Sequence, residues 1–211
     1  MKHLLTFAFL LIAVSGISAQ TASRLDIPYD SLRTVLEEIH AQDQGIREEL
    51  VKHMQQGDSI APSLITQMHF IDSVNQIRVN QMITDYGWLP QSKIGDNAAL
   101  GLFLVVQHAD SETMQSYLPY LKKAVEVGEA KATWAATMED RILMYEGKKQ
   151  VYGTQASGRP KEDGSNEYFI WPIEEPETVN QRRAQIGFDL TVEENAARMN
   201  AIYNPNEKLP Q

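Results

Sequence analysis

The chain has 211 residues, no cysteine and a formal net charge of -9 at pH 7. An acidic protein is a poor partner for nucleic acid or for an anionic membrane surface, because both attract basic proteins. The lack of cysteine excludes disulfides, a catalytic thiol and a lipid-modified cysteine anchor. We therefore expect no nucleic-acid partner, and we expect stability to come from a hydrophobic core alone.

The first 19 residues have the pattern of a secretory signal peptide. A short basic start at Lys2 precedes the apolar run Leu4–Val14, and small residues follow that run. The apolar run is shorter than a transmembrane helix requires. We expect cleavage after Ala19, which leaves residues 20–211 as a single domain without a membrane anchor. The mature protein is then expected to be periplasmic or secreted.

Two long helices are predicted, from Pro28 to Gln56 and from Pro62 to Tyr86, and the short turn between them makes them antiparallel neighbours. Each helix carries one carboxylate, Asp43 or Asp72, in a seam that is otherwise mostly apolar. A carboxylate in such a seam loses solvation and must be paired or protonated. Both acids lie at a similar distance from the turn. At a rise of about 1.5 Å per residue, they are predicted to meet or to share a partner.

The rest of the chain is also predicted to be mostly helical. The segment Ala98–Val106 has no polar face, which indicates a buried central helix, with a buried strand as the alternative. Four further helices are predicted after it. The first is capped by Asp110 or Ser111, and the others are Glu129–Tyr145, Val179–Ile186 and Thr191–Tyr203.

A small β-hairpin is predicted late in the chain. Its two strands are expected at Gln150–Thr154 and Glu167–Trp171. The segment between them, Ala156–Asn166, is polar and rich in Gly, Pro and Ser, so we expect a mobile loop or a flap. Together these patterns predict a mainly α fold. It is a single helical domain that starts with an antiparallel helix hairpin and carries a small β-hairpin in its C-terminal third.

Three residues are candidates for catalysis, namely Asp43, Asp72 and His108. Two close carboxylates push their pKa values apart, which gives one site both an acid and a base. The alternative is a structural ion pair of these acids with Arg47 or Arg141. His108 follows the buried helix and can act as a general acid or base, oriented by an acid of the long helices or by Asp110. The alternative is that its ring only binds the free carbonyls of the helix end.

Nine further residues are candidates for binding a substrate. The guanidinium groups of Arg47 and Arg141 can clamp a carboxylate, on the ligand or on the protein itself. Tyr152 lies on one face of a predicted strand, which is either a pocket wall or a solvent face. Asp110 has the alternative of a plain helix N-cap, and Arg183 has that of solvent exposure. The full set is Arg47, Asn75, Gln107, Asp110, Asp140, Arg141, Tyr152, Gln155 and Arg183.

No cofactor and no metal are expected. Aspartate and histidine side chains can bind a divalent ion, but the sequence has no HExxH pattern, no EF-hand loop and no cysteine cluster. The sequence also lacks a GxSxG elbow and a Gly-rich phosphate loop, so standard serine hydrolase and nucleotide sites have no signature.

A series of short polar motifs runs along the chain. The motifs are Asp43-Gln44 with Arg47, Asp72 with Asn75, Tyr86-Gly87-Trp88, Gln107-His108-Ala109-Asp110, Asp140-Arg141, Tyr152-Gly153-Thr154-Gln155, Pro172-Ile173, Arg182-Arg183 and Gly187. Their combination resembles a bacterial family known as the domain of unknown function 6624. The chain departs from that family where Leu89 separates Trp88 from Pro90. The resemblance implies one domain over nearly the whole mature chain, and it implies no particular activity.

These observations leave three hypotheses for function. The first is an enzyme, a hydrolase or a lyase, that uses acid-base chemistry in a polar cavity of paired acids, histidine and arginine. The second is a non-catalytic module that binds a small molecule or a peptide in the same cavity. The third is a structural protein in which the charges form a closed buried network.

Overall fold

A computed structural model describes residues 26–56, 60–162 and 164–210. The expected signal peptide, and Gly57 as the expected end of the first helix, lie outside these residues. The described residues are 63% helical and begin with a helix hairpin, which confirms the mainly α fold. The described helices are α1 (Tyr29–Gln56), α2 (Pro62–Tyr86), α3 (Gln91–Ile94), α4 (Asp96–Gln107), α5 (Ser111–Glu126), α6 (Ala132–Tyr145), α7 (Val179–Gln185) and α8 (Val192–Arg198).

The buried helix α4 is the centre of the main core, and it is a helix as expected. Its apolar side chains pack with those of α1, α2, α5 and α6 in one continuous cluster. Gly101 allows α4 to approach α1 closely, because a Cβ atom there would lie 2.7 Å from the carbonyl oxygen of Leu36 and 2.9 Å from Cβ of His40. Seven residues beyond Leu36 and Gly101, the two helices present Asp43 and His108. The close contact between α1 and α4 therefore brings these two side chains to one place.

A second, smaller core lies in the C-terminal part. It contains buried apolar residues of β2, α7, α8 and the segment after β2, namely Ile170, Ile173, Val179, Val192 and Ala196. The capping box predicted by Thr191 and Glu194 is present at the start of α8. The helix ends at Arg198 rather than at Tyr203, because the chain turns at Asn200 with φ 50° and returns to pair with β2.

The β-hairpin exists, but both the first strand and the loop were predicted at the wrong place. Strand β1 is Ala156–Pro160, inside the predicted flap, and it pairs in antiparallel register with β2, Asn166–Ile170. The segment 150–154 is not a strand, because its amides at Val151, Tyr152 and Thr154 donate to the side chain of Asp140 instead of to a neighbouring strand.

The fifth predicted helix begins later than expected. Helix α6 starts at Ala132 rather than at Glu129, because the carboxylate of Glu129 accepts hydrogen bonds from the backbone and hydroxyl of Ser92 in α3. Within the described ranges, no helix combines the length and the apolar character that a bilayer-spanning segment needs.

Candidate functional site

Four charged or titratable side chains meet where α1, α2 and the end of α4 come together. They are Asp43, Arg47, Asp72 and His108, which we call the acid-histidine cluster. Nδ1 of His108 lies 3.1 Å from Oδ1 of Asp43, and the same Oδ1 lies 2.9 Å from Nη1 of Arg47. Nη2 of Arg47 donates to both carboxylate oxygens of Asp72, at 3.0 and 3.1 Å. The two acids thus share Arg47 as a partner.

Asp43 is the most deeply buried member of this cluster, with 1% of its surface exposed. Burial raises the pKa of its carboxyl group, but the hydrogen bond and charge of His108, together with Arg47 and Gln44, outweigh burial and hold the pKa below its usual value. Nε2 of Gln44 donates to Oδ2 at 2.7 Å. Asp43 is therefore ionised near neutral pH, so it serves as a hydrogen-bond acceptor and not as a proton donor.

His108 follows directly after α4 and keeps one side of its ring accessible. Its backbone amide donates to the carbonyl of Leu104, and 18% of its side chain is exposed. Nδ1 faces Asp43, and Nε2 makes no hydrogen bond to any residue that the structure describes. The imidazole is thus held by a buried carboxylate on one nitrogen and is open on the other, which is the arrangement of an oriented general base or acid.

Asn75 is buried next to this pair. Its side chain is 1% exposed, and neither its amide nitrogen nor its amide oxygen has a hydrogen-bond partner among the described residues. The gap that it shares with Asp43, Asp72 and His108 is too tight for a water-sized sphere. The expected contact of Asn75 with a substrate would require this gap to widen, and the role remains a prediction.

Arg141 holds the carbonyl end of α4 next to His108. Its Nη1 donates to the backbone oxygen of Gln107 at 2.8 Å, and its Nε donates to Oε1 of Gln155 at 2.9 Å. Burial lowers the pKa of Arg141, Tyr145 opposes this change, and the positive charge of Arg47 lowers the pKa further. Arginine nevertheless stays protonated in proteins.

No carboxylate of the described residues lies within 4 Å of Arg141, and its Nη2 makes no hydrogen bond to them. The alternative of an ion pair between Arg141 and Asp43 or Asp72 is therefore not present, whereas Arg47 pairs with both acids. Buried charges are normally paired, so Arg141 is an unusual cation in having only neutral partners among the described residues.

Asp140 has a structural role and does not present a free carboxylate. It is fully buried and accepts hydrogen bonds from the backbone amides of Val151, Tyr152 and Thr154 and from the Thr154 hydroxyl. Burial raises the pKa of Asp140, and these hydrogen bonds oppose the rise. Both oxygens are occupied by the chain itself, so in this arrangement Asp140 shapes the 151–155 segment and leaves no room for a substrate.

Three other candidates lie away from the acid-histidine cluster. Asp110 is exposed and caps α5 by accepting from the amide of Thr113 at 2.8 Å. Tyr152 lines a surface groove of about 310 Å³ together with residues of α5 and α6. Arg183 is buried and lines a different pocket, formed with α6 and α8. The substrate-binding roles of these residues remain predictions.

Several polar residues that contribute to the site were not among the candidates. Gln44 donates to Asp43, and Nε2 of Gln76 donates to the backbone oxygen of His108 at 3.4 Å. Gln150 is fully buried and donates to the carbonyls of Gln155 and Trp171. Gln44 and Gln76 have no sequence signal beyond a position beside a candidate, because glutamine is ordinary on an exposed helix face. Gln150 begins a segment predicted as a strand, which does not indicate its buried contacts.

No group of three or more histidine, aspartate or glutamate side chains suited to a metal ion occurs in the described ranges. A comparison with family models matches residues 30–205 to the Family of unknown function (DUF6624). No curated protein matches the chain, and no solved structure does. The family match spans well over half of the chain and includes every residue of the acid-histidine cluster, so it confirms the resemblance seen in the motifs. The chain belongs to the DUF6624 family of unknown function.

Proposed function

We propose that the chain is an enzyme in which His108 transfers a proton to or from an anionic substrate. The observation that carries this proposal is the hydrogen bond of Nδ1 to buried Asp43, with Nε2 left open. A carboxylate can only accept, so neutral His108 must carry its proton on Nδ1. The lone pair of Nε2 is then directed away from Asp43 and is available to take a proton from substrate or water.

Asp43 acts in this proposal as a positioning residue. With 1% exposure it cannot reach a substrate, but it orients the imidazole and stabilises the imidazolium that forms when His108 accepts a proton. Arg47 pairs with Asp72 as well as with Asp43, so a cation joins the two carboxylates. Asp43 and Asp72, which the sequence marks as catalytic candidates, thus both support His108 in this proposal.

The substrate is proposed to carry an anionic group. Arg141 binds the carbonyl of Gln107, the residue before His108, and it has no acidic partner in the described chain. An anion on the substrate would satisfy its open Nη2 and place the reacting bond near the imidazole. In hydrolysis His108 would take a proton from water and return it to the leaving group, and in elimination it would take a proton from carbon. The proposed activity is therefore that of a hydrolase or a lyase.

A second candidate function uses the same residues without catalysis. The unpaired guanidinium of Arg141 favours binding of an anionic small molecule or a peptide carboxylate, whether or not a proton is transferred. In that case His108 would contribute a hydrogen bond to the ligand, and its removal would weaken binding instead of stopping a reaction.

The test is a screen of chromogenic esters and amides that carry a carboxylate or a phosphate. We expect His108→Ala to lower kcat/KM by at least about 100-fold, since general acid-base catalysis contributes roughly 10²–10⁴-fold. Arg141→Met should raise KM. His69→Ala, which removes an exposed histidine of α2, is the matched control and should leave the rate unchanged.

Two outcomes would count against the enzyme. One is a turnover that His108→Ala leaves intact. The other is a compound that stabilises the protein in an Arg141-dependent way without being converted, which would support the binding module.

We also propose that the protein is exported, on the strength of the N-terminal pattern alone. Fractionation of expressing cells and N-terminal sequencing test this directly. We expect the mature protein outside the cytoplasm with Gln20 as its first residue. An intact N-terminus in the cytoplasmic fraction would contradict export.

A further inference from the structure

A second pocket, with a volume of about 320 Å³, lies between α6, α7 and α8. No residue of the acid-histidine cluster lines it. Its lining combines two arginines, Arg183 and Arg198, with two apolar side chains, Phe188 and Leu190. The volume lies at the lower end of the range typical of small-molecule sites.

Arg183 is the central group of this pocket. It is 2% exposed, yet no carboxylate of the described residues lies within 4 Å of its guanidinium group. Its Nε donates to the carbonyl of Leu190 at 2.7 Å and its Nη1 donates to the carbonyl of Tyr152 at 2.8 Å. Its Nη2 makes no hydrogen bond within the described chain. The two carbonyls and the ring of Phe188, whose centroid lies 4.5 Å from Cζ, hold the guanidinium in place.

Arg198 adds a second positive charge to the pocket. Nη2 of Arg198 donates to Oδ1 of Asn195, which also lines the pocket and whose own amide donates to the carbonyl of Gly153. Phe188 and Leu190 supply an apolar surface next to the two cations. A ligand that fits must therefore combine an anionic group with an apolar body.

The surrounding charges select among anions. Asp189 lines the same pocket, and Asp140, Glu193 and Glu194 act electrostatically on Arg183. These carboxylates disfavour a dianion such as phosphate more than they disfavour a singly charged carboxylate. A single open guanidinium nitrogen also suits a carboxylate oxygen.

We propose that this pocket binds a small carboxylate with an apolar side chain, through Arg183 and Arg198, independently of the His108 site. The inference goes beyond the proposed enzyme function and does not depend on it. The pocket is preorganised, because Arg183 is held by its carbonyl partners before any ligand arrives.

The test is calorimetric titration of the whole mature protein with N-acetyl-leucine. We expect saturable binding at one site, and we expect at least tenfold weaker binding of N-acetyl-leucinamide, which lacks the negative charge, and of inorganic phosphate. Arg183→Gln should weaken binding of N-acetyl-leucine at least tenfold. Arg198→Gln should weaken it about threefold and serves as a second variant if Arg183→Gln does not fold.

Two control variants show whether the ligand binds at this pocket. Lys123→Gln removes a positive charge from the exposed face of α5 and should leave binding unchanged. His108→Ala should also leave it unchanged, which distinguishes this pocket from the proposed active site. The proposal is overturned if the wild-type protein shows no saturable binding. It is equally overturned if the amide binds as well as the acid, or if Arg198→Gln and folded Arg183→Gln both bind normally.

Discussion

The carboxylate of Asp43 lies 3.1 Å from Nδ1 of His108, although the two residues are 65 positions apart in the chain. The contact exists because α1 and α4 approach closely at Gly101 and then run together to this point. A buried carboxylate that accepts from one imidazole nitrogen determines which nitrogen is open to a substrate. This relationship is the basis of the predictions for Asp43 and for the tautomer of His108.

The lowered pKa of Asp43 makes stability depend on pH in the acid range. An unfolded aspartate titrates near pH 4, whereas folded Asp43 keeps its charge to lower pH. Its contribution is therefore complete above about pH 4 and is lost as the pH falls through the lowered folded pKa. Melting temperatures from pH 7 to pH 3 should fall less steeply for Asp43→Asn than for the wild type. Asp26→Asn, at an exposed position, should keep the wild-type slope. Equal slopes for Asp43→Asn and wild type would refute the prediction.

Removal of Arg47 should leave two carboxylates without their shared cation. Breaking a fully buried pair costs about 3–5 kcal/mol. The side chains of Arg47 and Asp72 are 21% and 16% exposed, so this pair is not fully buried and the cost is smaller. We expect Arg47→Gln to lower the free energy of unfolding, measured by urea denaturation, by roughly 2–4 kcal/mol. Adding Asp43→Asn to Arg47→Gln should recover part of this loss, because one uncompensated charge is removed. If the losses of unfolding free energy in Arg47→Gln and in Asp43→Asn simply add in the double variant, the shared pairing is contradicted.

Replacement of Asn75 by leucine should not destabilise the protein. Each unsatisfied buried polar group costs about 1–3 kcal/mol, and Asn75 has two such atoms in the described structure. Leucine has the same branching and no polar atoms, so we expect an unchanged or higher melting temperature. Asn195→Leu is the matched control, because the buried amide of Asn195 donates to Gly153, and it should lower the melting temperature. A comparable loss in Asn75→Leu would contradict the prediction and would mean that the side-chain amide of Asn75 makes a stabilising contact.

Asp140→Asn should loosen the 151–155 segment. The backbone amides and the Thr154 hydroxyl need an acceptor, but asparagine presents an NH₂ group in place of one carboxylate oxygen. We therefore expect the free energy of unfolding to fall by at least about 2 kcal/mol. Hydrogen exchange at Val151, Tyr152 and Thr154 should become faster than in the wild type. Asp110→Asn is the matched control, since asparagine caps a helix as well as aspartate does. Unchanged exchange at these three amides in Asp140→Asn would show that Asp140 does not hold the segment.

The long helices could be predicted because their signals are local. Apolar spacing, the proline at the start of α2 and the glycine after it define Pro62–Tyr86 without reference to the rest of the chain. The hairpin could not be placed in the same way. The amides of Val151 and Thr154 are taken by Asp140, a tertiary contact that no pattern of strand residues reveals.

The four members of the acid-histidine cluster were all among the sequence candidates, but their pairings could not be predicted. Charged residues in apolar seams identified Asp43 and Asp72, and helical geometry predicted that they would meet or share a partner. Sequence left open which acid orients His108. Asp110 is the nearer in sequence, but its carboxylate caps α5, and Asp43 reaches the ring instead. That choice depends on how α1 packs on α4.

The most direct measurement is the tautomer of His108, read from the nitrogen chemical shifts of its imidazole in long-range ¹H–¹⁵N spectra at pH 8. We expect the proton on Nδ1 and a lone pair on Nε2, since ionised Asp43 can only accept. Asp43→Asn should weaken this preference. His69 is exposed and serves as the reference histidine in the same spectra. A proton on Nε2 in the wild type would contradict the proposed general base and would leave the cluster with a structural role.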